Sequence, residues 1–136
     1  MGTWEIEAFD NDDAGDWIAG LHSQADLTYI ESAFDHVLDI GTNYLEVSEC
    51  QQAIAAAEVV ARLQGNWGIR NAQTCLMDEW VVGLGLTPQP SLANKARQAV
   101  RRVKTEQSEL LELWSETQDL DAWKQSLAEL ESRITD

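Results

Sequence analysis

The sequence is poor in the residues that build tight turns and long loops. Glycine and proline number only eight and two, so they punctuate elements and do not fill extended turns. Strand-like alternation is nearly absent. Only Thr3 to Phe9 shows a short stretch of it, read as an extended arm or turn. No run of about 18 apolar residues occurs, which excludes a membrane-spanning helix. The opening Met1-Gly2-Thr3-Trp4-Glu5-Ile6 lacks a basic segment and an apolar core, so it does not read as a secretory signal. The two cysteines, Cys50 and Cys75, fall inside expected helices as small apolar residues. They read as free thiols in a reducing cytoplasm, and their spacing implies no disulfide.

Basic residues are scarcer still. Residues 1–61 contain no Lys or Arg. Twelve acids lie in residues 1–50, against three acids and four bases in 51–100 and nine acids and five bases beyond. The net charge is -15. A phosphate backbone would meet a negative field, so nucleic-acid binding is not expected. Five of the nine bases, Lys95, Arg97, Arg101, Arg102 and Lys104, crowd one segment. The reading is an acidic N-terminal half and one basic ridge. This layout serves solubility, permits internal pairing of the ridge with acidic stripes, and suits steered association with a basic partner.

Sequence motifs for common chemistries are missing too. There is no P-loop, no G-x-G-x-x-G, no G-x-S-x-G and no H-E-x-x-H, so the nucleotide, hydrolase and zinc-protease signatures are all absent.

What is present is apolar and periodic. The chain has 136 residues, 44% of them hydrophobic. A chain of that length hides roughly two thirds of its unfolded surface, and so many apolar residues argue against disorder despite the charge. A first helix is expected from Asp10-Asn11-Asp12-Asp13, whose acids suit a helix N-terminus, with Trp17 and Leu21 on one face. A second runs from Asp26 to Gly41, with Leu27, Ile30, Phe34, Val37 and Leu38 on one arc and Glu31, Asp35 and Asp39 on another. A third opens with a capping-box pattern at Ser48 to Gln51 and continues through an alanine-rich stretch to Gly65. Only Gln51, Glu58 and Arg62 interrupt it, so it should be the central helix. Further helices are expected over 71–83, over 90–104 behind Pro90, over 108–116, and from 119 onward with Leu120, Trp123, Leu127, Leu130 and Ile134 on one face. Arg97, Arg101 and Lys104 should project outward. The expected fold is all-α: one domain over residues 1–136, a compact array of about six to seven helices. The six tryptophans are expected to anchor the core.

The densest polar cluster is Asp10 to Asp16. A calcium loop would need a third alternating ligand where Ala14 stands and an acid where Leu21 stands, so the cluster reads as a helix cap. His22 and His36 have no partner at zinc-ligand spacing, and His36 should point to solvent beside Asp35 and Asp39. A Cys–His nucleophile is disfavoured because both cysteines look buried in a negative field. No metal and no cofactor are expected.

The residues Met1-Gly2-Thr3-Trp4, Phe9-Asp10-Asn11-Asp12-Asp13-Ala14 and Asp16-Trp17 resemble the opening of a bacterial family called domain of unknown function 4259. The stretch Ala53 to Leu63, the Leu110 to Trp114 segment and the Trp123 helix are similar to the same family. The chain departs from that pattern at Glu5 and Glu7, where glycines would stand. The resemblance implies a bacterial, cytoplasmic, one-domain helical protein and carries no activity. Physically, Trp4 and Phe9 are suited to pack on Trp17 and Leu21 as a staple. The function expected from charge, size and missing motifs is a non-enzymatic protein-binding module, immunity- or antitoxin-like, acting on a basic protein. Its contact residues would be Asp12, Asp13, Asp16, Glu31, Asp35 and Asp39. A metal-dependent enzyme built on Asp10 to Asp16 and a homo-oligomeric structural protein are the alternatives. The chain should be a monomer or small homo-oligomer without membrane or nucleic-acid partners.

Overall fold

The computed structural model describes residues 16–17, 20, 27–67, 75–84 and 87–135. Six helices follow one another there: α1 (Thr28–Asp39), α2 (Val47–Leu63), α3 (Cys75–Leu84), α4 (Pro90–Val103), α5 (Glu109–Ser115) and α6 (Leu120–Arg133). Residues 16, 17 and 20 are also helical. The fold is all-α. Among the described residues the nearest thing to a strand is a single parallel bridge between Leu45 and Ser108. No helix there is long and apolar enough to cross a membrane. The expected helix start at Asp10 to Asp13, the Trp4 and Phe9 staple, Leu21 and His22 lie outside the described residues.

The helix ends follow local chemistry. Gly41 has φ 64° and follows the last turn of α1, while Gly65 has φ 88° and follows α2. Both are left-handed positions that favour glycine. At Gly65 the exit is a complete Schellman turn, with Gly65 N–H donating to Arg62 O at 2.9 Å and Asn66 N–H to Ala61 O at 2.9 Å. Pro90 occupies the first turn of α4. Ser108 caps α5 by accepting from Leu111 N–H. The start of α2 lies upstream of the expected Ser48. Glu46 is the cap and forms the capping box with Glu49. The Val47 N–H is taken up by Glu109 Oε1 at 2.8 Å, so α5 supplies a partner that the local pattern did not announce.

Helix α2 is the centre of the array and packs against every other helix. Its alanines Ala53, Ala55, Ala56, Ala57 and Ala61 are wholly buried. Small side chains let α1 and α4 approach it closely. Around this axis α1 buries Ile30, Phe34 and Val37, α4 buries Leu92, Ala96, Ala99, Val100 and Val103, and α6 buries Trp123, Leu127 and Leu130. Trp114 and Trp123 stack at 6.2 Å, a contact worth about 0.5–1.5 kcal/mol beyond its buried area. Trp17, Trp80, Trp114 and Trp123 are all buried, as expected of core anchors.

Enclosing α2 buries its polar residues as well. Glu58 and Arg62 are 6% and 2% exposed. Arg133 of α6 donates two hydrogen bonds to the Glu58 carboxylate, at 2.7 and 2.5 Å. Arg62 lies 3.7 Å from the same carboxylate and 3.4 Å from Asp78 of α3, with its guanidinium 5.5 Å from the Trp67 ring centre. The bonds to Glu58 hold the Arg133 guanidinium above its ordinary value. The segment after α6 is pinned to the turn after α2: Asn66 Nδ2 donates to Arg133 O at 2.7 Å, and Thr135 N–H to Gln64 Oε1 at 2.9 Å.

Arg97, Arg101 and Lys104 do not simply project to solvent. Helix α6 lies beside that edge of α4. Arg101 and Lys104 both bond to Glu131, and Arg97 donates to Ile134 O at 3.2 Å.

Removing one member of a buried, paired charge set strands the others in a low-dielectric interior. Glu58→Ala should therefore destabilise the protein by about 3–5 kcal/mol in urea denaturation. Ala57→Leu, which forces a larger side chain against the neighbours of α2, should cost about 1–3 kcal/mol in the same assay.

Candidate functional site

The acidic stripe and a small depression share helix α1. Tyr29, Ser32, Ala33 and His36 fall at helical spacing along it, so one side of α1 presents them together. Gln52 of α2 faces them, and Asp16 and Trp17 complete the wall. The hollow measures about 210 Å³. The Trp17 and Tyr29 rings stack at 5.1 Å, and the Tyr29 hydroxyl donates to Trp17 O at 3.0 Å. Gly20 makes this arrangement possible, because a Cβ there would collide with the Tyr29 hydroxyl. Asp16, Ser32 and His36 are exposed and Gln52 is half-buried. None of these four side chains has a hydrogen-bond partner among the described residues.

The expected contact residues fall into distinct situations. Asp12 and Asp13 lie outside the described residues. Asp16 stands at the hollow. Glu31 and Asp35 are bridged by Lys95 of α4, whose Nζ donates to them at 2.7 and 2.9 Å. Both bonds hold the lysine above its usual value. Their carboxylates remain 45% and 44% exposed, so one cation partly offsets two acids. Asp39 is exposed. His36 is exposed as expected. Among the described residues, no group of three or more His, Cys, Asp or Glu is placed to hold a metal ion.

Most of the other described bases are engaged within the chain. Arg102 donates to the carbonyls of Gly41, Asn43, Glu106 and Gln107, clasping the segment before α2 to the one before α5. Cys50 is buried beside Ser108, with Sγ and Oγ 3.4 Å apart. Burial pushes its thiol up, which leaves it a poor nucleophile.

A second acidic face surrounds Tyr44, which is 44% exposed and donates to Glu112 Oε1 at 3.0 Å. Partial desolvation, that bond, and the charges of Glu112 and Glu109 push the phenol up to about 12.

The family described as a domain of unknown function (DUF4259) matches the chain over residues 2–126. The chain belongs to that family. No curated protein and no solved structure matches it. In this DUF4259 chain the match takes in α1 to α5, the hollow and the first half of α6.

Tyr29, Ser32 and Gln52 were not singled out as site residues from the sequence. The helical spacing of Tyr29 and Ser32 with His36 was legible, but nothing local announced that Gln52 would lie across from them. The crossing of α1 and α2 decides that.

The chain has two tyrosines, and both are raised above 10 in the fold, Tyr29 by desolvation. A tyrosine raised on folding favours the native state while protonated. For Tyr44 that contribution is complete below pH 10 and is lost as pH rises through about 12. Tyrosinate absorbance at pH 10 should therefore be lower in the native protein than in the urea-unfolded chain, with Tyr44 contributing almost none of it until the pH nears about 12. Gly20→Ala should push the Tyr29 hydroxyl from its bond with Trp17; the better helix propensity of alanine offsets the lost bond, so the net change in denaturation should stay within about 1 kcal/mol.

Proposed function

We propose that this DUF4259 protein is a non-enzymatic binding module of the cytoplasm, whose acidic N-terminal half docks a basic protein. An immunity- or antitoxin-like role, in which a cationic toxin is neutralised, is the concrete form. The observation that carries this reading is the internal use of the bases. Of nine Lys and Arg in the chain, Lys95, Arg97, Arg101, Arg102, Lys104 and Arg133 bond to carboxylates or carbonyls of the same chain, and Arg62 is ion-paired with Glu58 and Asp78. Among the described residues of α1 the charged side chains are Glu31, Asp35 and Asp39, all acidic, with Lys95 partly offsetting the first two. Such a field raises association rates for a basic partner and falls off with salt over about 10 Å at 0.1 M.

The test is capture of a partner from the host lysate by the tagged protein at low and high salt, repeated with an Asp12→Lys, Asp13→Lys, Asp39→Lys variant. The expected result is a basic protein retained at low salt, released at high salt, and lost from the variant while its circular dichroism is unchanged. Retention of the same partners by the variant would reject the reading.

A further inference from the structure

We infer that the hollow between α1 and α2 is a socket for a single arginine side chain of the basic partner, an inference that rests on the binding-module reading above. Its volume of about 210 Å³ is below the range of about 300–1,000 Å³ of sites for drug-sized ligands. That suits one side chain and not a cofactor. Among the described residues its lining includes no Lys or Arg, and the nearby Lys95 is held by Glu31 and Asp35. Of the described lining residues only His36 can carry a positive charge, against the permanent carboxylate of Asp16, so an anionic ligand is poorly served.

The groups that converge there suit a donor-rich cation. The Asp16 carboxylate accepts without donating. The Ser32 hydroxyl and the Gln52 side-chain carbonyl add two acceptors, and all three side chains are uncommitted among the described residues. A guanidinium offers five N–H donors in a planar fork and also stacks on aromatic rings. An ammonium offers three donors from a single point. The dispersed acceptors, together with the Tyr29 ring held in place by Trp17, match the fork better than the point charge. The Glu31, Asp35 and Asp39 stripe on the same helix would draw the cation in, while the socket would fix its register.

The probe is N-acetyl-arginine methylamide, titrated into the full-length protein and followed by amide NMR. Its citrulline counterpart, which keeps the shape and loses the charge, is the control. Saturable shifts are expected at Tyr29, Ser32, His36 and the Gln52 side chain. They should be at least about tenfold weaker with the citrulline probe and in Asp16→Asn, in line with the strength of a charged hydrogen bond. Gln52→Ala should also weaken them. Equal shifts with both probes, shifts scattered over every acidic face, or binding indifferent to Asp16→Asn would overturn the proposal. Partner capture separates this inference from the reading beneath it. Capture that survives Asp16→Asn and Gln52→Ala but fails on reversal of Asp12, Asp13 and Asp39 would leave the acidic docking surface standing and remove the socket.

Discussion

The enclosure of α2 on all sides is the constraint on which the other features depend. Twelve of its seventeen residues are buried, so beyond its first turn it has almost no solvent face on which to place a charge. Alanine fills five of the twelve buried positions, which lets the five other described helices reach the axis. Where Glu58 and Arg62 interrupt the alanines, the fold must bring charges to them from elsewhere. Asp78 arrives on α3 and Arg133 on α6, and these partners tie the outer helices to the centre. Such a set adds little beyond what a well-packed apolar cluster would provide. It does specify which turn of α6 sits against α2, because only one register brings Arg133 to Glu58.

The same logic governs the rest of the scarce positive charge. Lys95 holds α1 to α4, Arg101 and Lys104 hold α4 to α6, and Arg102 gathers four carbonyls from two loops. The basic ridge legible in the sequence is therefore a set of inter-helix ties. Its members are half-buried or partly exposed, so each tie contributes modestly. Their larger consequence is electrostatic. With several cations tied to carbonyls and carboxylates of the same chain, the excess of acids over bases dominates the outer field, most strongly around the base-free N-terminal half.

The hollow beside Tyr29 illustrates how a site arises from packing and not from a motif. Four of its residues come from one helix at ordinary spacing, one from a second helix, and two from the helical turn before α1. The Gly20 position permits the Tyr29 hydroxyl to reach Trp17, and that bond sets the aromatic wall. No residue type in it is unusual. Only the crossing of the helices creates a concave polar surface there.

Local sequence determined the helices, because their determinants lie within a few residues of one another. The apolar arc of Ile30, Phe34 and Val37, the glycine exits at Gly41 and Gly65, Pro90 at a first turn and the exposed His36 all follow from spacing and backbone chemistry. The central place of the alanine-rich helix was also legible, since a helix apolar nearly all round must be surrounded. Tertiary structure alone decided which distant residues meet. Glu109 completing the start of α2, Arg133 reaching Glu58 across 75 positions, Lys95 crossing to Glu31 and Gln52 facing His36 all depend on how helices cross. Crossing is set by the sum of many side-chain volumes, and no short stretch of the chain contains that sum.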